Sequence, residues 1–162
     1  MTYAYTKMPS PVGELTLIAS DIGLTAILWP NDRPSRVPGR DPIEADDHPV
    51  LAEARHQLTA YFAGELKVFT VPLDMIGTDF QKSVWAALLT IPHGETRSYA
   101  DIARQIGRPT ATRAVGAANG RNPLSIIAPC HRVIGKNGSL TGFAGGLEAK
   151  ELLLALEGQR LV

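Results

Sequence analysis

The hydrophobic period of this chain changes near Gly77, so no architecture built on one kind of element accommodates both sides of it. Upstream, "ELTLIAS" and "GLTAILW" are short β-type runs separated by Asp21-Ile22-Gly23, a spacing that predicts a hairpin. "PNDRPSRVPGRDPIEADDHP" follows with no apolar period and reads as a loop. "VLAEARHQLTAYFAGE" then places Val50, Leu51, Ala54, Leu58, Tyr61 and Phe62 near helical spacing, with a stop at Gly64. "KVFTVPLDM" reads as a further strand, Pro72 marking an edge or an end.

Downstream the pattern is helical. "TDFQKSVWAALLTIP" opens with Thr78 and Gln81 in capping-box spacing and carries Phe80, Val84, Trp85, Leu88 and Leu89 on one face before Pro92. "SYADIARQIGRPTATRAVGAANG" predicts a helix from Ser98, a turn at Gly107-Arg108-Pro109 and a second helix from about Thr110 to Asn119, which is helix-turn-helix spacing. That second helix is nearly bare: Ala111, Ala114, Gly116, Ala117 and Ala118 leave Arg113 as its main long side chain. Such a helix can bring its backbone close to a grooved partner, its N-terminal amides favouring phosphate, or it can pack tightly within its own domain. The expected organisation is an α/β N-terminal domain over residues 1 to 76 and a mostly helical domain over 77 to 162.

Charge separates along the same line. The chain is formally neutral, but residues 1 to 76 carry six Lys/Arg against ten Asp/Glu, and residues 77 to 162 carry ten against six. Between Arg97 and Lys136 seven basic residues face one acid, Asp101, which suits either a polyanion-binding surface or an ordinary solvated one. No stretch approaches the roughly 20 apolar residues of a membrane span, and the first residues lack a secretory leader pattern. With one cysteine as well, the expectation is a soluble protein in the cytoplasm.

That cysteine lies in "IIAPCHRVIG", from Ile126 to Gly135. It has no disulfide partner within the chain, so the thiol packs, binds or reacts. An unperturbed thiol of pKa about 8.5 is a few per cent ionised at neutral pH, and the neighbouring His131 and Arg132 could raise that fraction. In an extended strand, however, Cys130 and His131 would point to opposite faces, so contact requires a turn or a bridging water. The four histidines form no zinc-finger or zincin spacing, and there is no phosphate loop or dinucleotide fingerprint; neither a metal nor a cofactor is expected.

A basic helix-turn-helix with a lone arginine on a bare helix, followed shortly by Pro-Cys-His-Arg, resembles the O6-alkylguanine-DNA alkyltransferase family. The likeness runs through "TDFQKSVWAALLTIPHGETRSYADIA", "RAVGAANGRNP" and "IIAPCHRVIGKNGSLTGFAGGLEAKELLLALE", and more loosely through "SPVGELTLIAS" and "LTAYFAGE". The resemblance implies a ribonuclease-H-like N-terminal domain. It also implies that Cys130 irreversibly accepts an alkyl group from O6 of guanine in double-stranded DNA, acting once, as a monomer that could bind cooperatively along DNA.

By the same resemblance, His131 activates Cys130 through a water, Glu157 orients the imidazole, Asn122 braces the active-site turn and Tyr99 eases charge on the leaving base. Arg113 fills the space of the extruded nucleotide while the bare helix, through Thr110, Ala114, Gly116 and Ala117, lies in the minor groove with Arg132 also on the DNA-binding side. Val133, Phe143, Ala144 and Lys150 belong to the substrate pocket or the wall behind it. Position 143 is Phe where the family often has Tyr, which preserves an apolar wall but removes a hydroxyl. The same residues leave two rival functions open. A non-catalytic sensor or regulator of damaged DNA would leave the thiol idle, and a cysteine hydrolase would turn over repeatedly without DNA.

Overall fold

The computed structural model describes residues 2–32, 41–135 and 143–158. Its N-terminal half is a four-stranded sheet in the order β3-β2-β1-β4, formed by β1 (Ala4–Met8), β2 (Leu15–Ala19), β3 (Leu24–Leu28) and β4 (Ile43–Glu44), with helix α1 (Pro49–Phe62) packed against it. The expected hairpin joins β2 and β3. Ser20 closes it: its N–H donates to Gly23 O at 2.9 Å, while its Oγ accepts from the amides of Ile22 and Gly23. β1 pairs antiparallel to β2, with Ala4, Thr6 and Met8 turned inward. The loop expected across residues 30 to 49 contains β4, which lies parallel to β1; its residues 33–40 lie outside the described residues.

The strand expected in "KVFTVPLDM" does not form. Pro72 has no N–H to give a ladder, and only Leu73 bridges to Leu24. The preceding residues take their order from a side chain instead. Gln57 of α1 accepts from the amides of Thr70 and Val71 at 2.9 and 3.2 Å and donates to Thr70 Oγ1 and Glu53 Oε1. One buried amide group thus replaces a strand partner.

Past Gly77 the chain becomes helical, with α2 (Asp79–Leu88), α3 (Tyr99–Gln105), α4 (Thr112–Gly120) and α5 (Leu147–Leu156). The capping box of Thr78 and Gln81 forms with both of its hydrogen bonds, and Ser98 and Asp101 form another at the start of α3. Gly107, at φ +75°, turns the chain between α3 and α4. α4 starts at Thr112, two residues later than expected, because the Ala111 amide is taken by Arg108 O and Ala111 serves as an N-cap with no side-chain hydrogen bond. Trp85 of α2 anchors α4 by donating from Nε1 to Ala118 O at 2.8 Å.

Among the described residues there are two cores. Leu15, Leu17, Leu24 and Ile27 of the sheet meet Leu51, Leu58 and Tyr61 of α1, and Val84, Leu88, Ile102 and Val115 join α2, α3 and α4. The segment preceding Cys130 belongs to the first core through Leu124, Ile126, Ile127 and Ala128, and Cys130 and Val133 belong to the second. Ile27 of β3 fixes the junction by donating its amide to Pro123 O at 2.8 Å. The cysteine therefore emerges where the two cores abut.

Replacing Gln57 with Ala strips the acceptor from two amides and should lower the unfolding free energy by about 2 kcal/mol. Urea unfolding checks this; a shift below about 0.5 kcal/mol would show that the 65–71 segment holds itself.

Candidate active site

The site begins with the tight path of residues 122 to 132. Asn122, fully enclosed, donates from Nδ2 to Ala128 O at 2.7 Å and accepts from the Leu124 amide at Oδ1, so it spans the loop that leads to the cysteine. Within that loop Ile126 is held at φ +77°, a conformation costing a β-branched residue about 1–3 kcal/mol. The surrounding core enforces it, since Ile126 has no exposed surface. The chain then winds into one 3₁₀ turn, Cys130–Arg132, rather than continuing extended. A short parallel pair, β5 (Arg97–Ser98) with β6 (Val133–Ile134), holds the far side of this turn next to the start of α3, where Tyr99 is the first residue. That pairing was invisible in two-residue runs, and it relates Tyr99 to Cys130.

Cys130 is buried, with Sγ 3.9 Å from Ser125 Oγ. His131 is wholly enclosed, and its Nε2 lies 2.7 Å from Glu157 Oε2. Glu157 accepts two further bonds from Arg132, Nε to Oε1 at 2.8 Å and Nη2 to Oε2 at 2.9 Å, and one from the Tyr61 hydroxyl to Oε2 at 2.5 Å. Burial alone would raise the Glu157 pKa, but the hydrogen bonds and charges of His131, Arg132 and Tyr61 outweigh it and hold the carboxyl well below its usual range. An ionised carboxylate only accepts, so the imidazole proton sits on Nε2. Nδ1 then carries the lone pair, and this buried atom has no hydrogen-bond partner among the described residues. Burial pushes the His131 pKa down, and the opposing pull of Glu157 does not restore it. The result is a neutral imidazole with its basic nitrogen uncommitted, next in sequence to a thiol.

Lys150 reaches back from α5 and donates from Nζ to Val133 O at 2.7 Å. Burial lowers its pKa, while interaction with Cys130 acts in the opposite direction. Val133 is enclosed; Phe143 is half-buried, edge-on to Trp29 with ring centroids 5.3 Å apart, and Ala144 is exposed. Trp29 also donates from Nε1 to Ser125 Oγ at 3.2 Å, which brings the N-terminal sheet to the cysteine's neighbour. A Cβ at Gly145 would lie 2.7 Å from the Trp29 ring, so any larger residue there must displace that ring. Gly142 of the same run and Lys136 of the basic stretch lie outside the described residues.

Of the residues expected at the nucleic-acid surface, Thr110, Arg113, Ala114 and Ala117 are exposed and Gly116 is half-buried beside the Tyr99 ring. The inward face of α4 is Val115, Ala118 and Asn119, so the outer face is bare. Arg132 corrects the reading from sequence. It is buried, and its guanidinium is spent on Glu157 and, through Nη1, on Ile91 O at 2.7 Å; it organises the interior rather than facing DNA. Sequence reasoning also missed Tyr61, Ser125 and Trp29. Tyr61 read as one more core residue of α1, although a buried tyrosine hydroxyl needs a partner and was a signal in itself.

Family models for the 6-O-methylguanine DNA methyltransferase match the chain twice, the ribonuclease-like domain over residues 3–75 and the DNA binding domain over residues 79–159. A methylated-DNA–protein-cysteine methyltransferase of Methanosarcina acetivorans is 52% identical over 159 residues, covering 95% of this chain and 97% of that protein. The one from Mycobacterium tuberculosis is 53% identical over 158 residues, covering 96% and 93%. The crystal structure of Mycobacterium tuberculosis OGT in complex with DNA superposes with a TM-score of 0.85 at 51% identity, covering 97% of this chain and 92% of that one. With both halves of the fold matched and the cysteine, histidine and glutamate gathered at their junction, the chain belongs to the O6-methylguanine-DNA methyltransferase family.

Proposed function

We propose that this protein repairs O6-alkylguanine in double-stranded DNA by moving the alkyl group onto Cys130, once per molecule. The observation that carries the reading is the arrangement of His131, held neutral by burial and oriented by Glu157, beside the chain's one cysteine. The thiol sulfur attacks the alkyl carbon, a carbon–sulfur bond forms and the carbon–O6 bond breaks. The thiol proton passes to His131 Nδ1 through a water; guanine leaves as an anion eased by a hydrogen bond from Tyr99 and takes one proton from solvent, and the imidazolium returns one to solvent. The product thioether has no route back to a thiol, so each molecule acts once.

A thiol buried between two cores cannot reach a base inside a duplex, so the nucleotide must leave the stack. The exposed small-residue face of α4 supports docking in the minor groove, with Arg113 entering the vacated space. Its N-terminus, capped by no side chain, suits a phosphate. Phe143 and Ala144 then frame the guanine, with Val133 and Lys150 backing the pocket wall. The protein works as a monomer in the cytoplasm, with residues 1 to 76 as a supporting domain and 77 to 162 as the reacting one. Among the described residues no helix is long and apolar enough to cross a membrane, and no three or more His, Cys, Asp or Glu side chains gather as metal ligands would.

Cys130→Ser should abolish methyl uptake from an O6-methylguanine duplex while leaving duplex affinity within about twofold, as intact mass and a gel-shift titration measure. Methyl uptake by this variant would overturn the assignment; tight binding by a wild-type protein that gains no mass would point to a damage sensor. Arg113→Ala should slow transfer from duplex by about tenfold, near 1.4 kcal/mol, and leave reaction with a free O6-alkylguanine base almost unchanged. Equal losses on both substrates contradict the finger role. The His131 pKa lies below the ordinary imidazole value, so the neutral form still dominates at about pH 6.5. Single-turnover rates at about pH 6.5 should therefore exceed half of those at pH 8, and a half-point above about pH 7 contradicts a neutral resting imidazole.

A further inference from the structure

Tyr61 belongs to the N-terminal half, yet its hydroxyl ends on the carboxylate that carries His131. Packing does not explain that hydroxyl. The ring meets Phe62 and Phe69 with centroids 5.4 Å away in each case and His93 at 6.2 Å, contacts that phenylalanine would make equally well. The hydroxyl donates to an ionised carboxylate, which makes this a charge-assisted O–H···O⁻ hydrogen bond. Burial first, then the Glu157 charge, raise the Tyr61 pKa, so the hydroxyl stays a donor.

Resting on the alkyl-transfer reading above, we propose that Tyr61 is a positioning residue for the reaction: its hydroxyl pins Glu157 Oε2 against His131 Nε2 and so fixes the imidazole that serves Cys130. Oε2 receives three donors, Tyr61 from α1 and His131 and Arg132 from the 3₁₀ turn, while Oε1 receives Arg132 Nε. The other titratable groups acting on this cluster are Lys150 of α5, which bears on His131, and His93 after α2, which bears on Glu157 and is itself faced by Lys67. None of these replaces the Tyr61 donor. Without it the carboxylate is less satisfied, holds a proton on His131 more firmly and leaves less neutral imidazole at mildly acidic pH.

The test is single-turnover methyl transfer from an O6-methylguanine duplex between pH 5.5 and 8.5, for the wild type, Tyr61→Phe, Glu157→Gln and the double variant. Tyr61→Phe should move the acid limb up by about one pH unit, slowing transfer about tenfold at its foot, with half-saturation by DNA unchanged. In the Glu157→Gln background the same substitution should cost less than about twofold, because its route of action is already gone. Site-specific 3-fluorotyrosine at position 61 keeps the ring and offers a stronger donor, so its limb should move to lower pH even if Tyr61→Phe folds poorly. A wild-type-like profile for Tyr61→Phe, a fully additive loss in the double variant or an upward shift with fluorotyrosine each overturns the positioning role alone. A wild-type protein that transfers no methyl overturns the alkyl-transfer reading and this proposal with it.

Discussion

Every part of this site depends on one buried negative charge. The Glu157 carboxylate lies one residue past the end of α5 and collects four hydrogen bonds from three side chains. A carboxylate enclosed to this degree is costly unless its acceptor positions are filled. Filling them requires α1, the 3₁₀ turn and α5 to converge, and Arg132 extends the tie to the segment that follows α2 through Ile91 O. The cost of burying the charge becomes a constraint on geometry: His131 has one orientation and one tautomer.

The second constraint is the path into the turn. Asn122 and the strained Ile126 send the chain from the first core to the second within a few residues, and Pro123 is fixed to β3 by the Ile27 amide. The N-terminal half is therefore a platform under the reacting segment, reaching it through Ile27 of β3, through Trp29 just after it, and through Tyr61 of α1. Strain at Ile126 is sustainable because Asn122 and the first core over-determine the loop. The bare outer face of α4 needs no such support, because its inner face is anchored to α2 by Trp85 and Val115.

What could be read from the sequence was what local chemistry decides. The β2–β3 hairpin, α1, the Thr78 capping box and the pair α3–α4 all rest on residues within a few positions of one another, and each formed. The parallel pairings of β4 with β1 and β5 with β6 each span two residues from distant parts of the chain, and β4, β5 and β6 are themselves too short to carry a period. "KVFTVPLDM" misled because its β-type composition said nothing of Gln57, thirteen residues before Thr70, taking the amides a neighbouring strand would have used. At the site, the Pro-Cys-His-Arg motif located the reacting turn through family resemblance. The charge of Arg132 suggested a surface, and only the carboxylate 25 residues away explains its burial. Tyr61 and Glu157 are 96 residues apart, so no local pattern joins them.

Alkyl transfer by this mechanism requires His131 to be a neutral imidazole whose proton is on Nε2, directed at Glu157, with Nδ1 left to act as base. Nitrogen-15 NMR of histidine-labelled protein at pH 7 reads both ring nitrogens of His131, assigned by comparison with a His131→Gln variant. A protonated Nε2 with an unprotonated Nδ1, unchanged down to about pH 6.5, is the predicted result. An imidazolium at pH 7, or a proton on Nδ1, would contradict it and leave the Glu157 cluster without the role assigned to it.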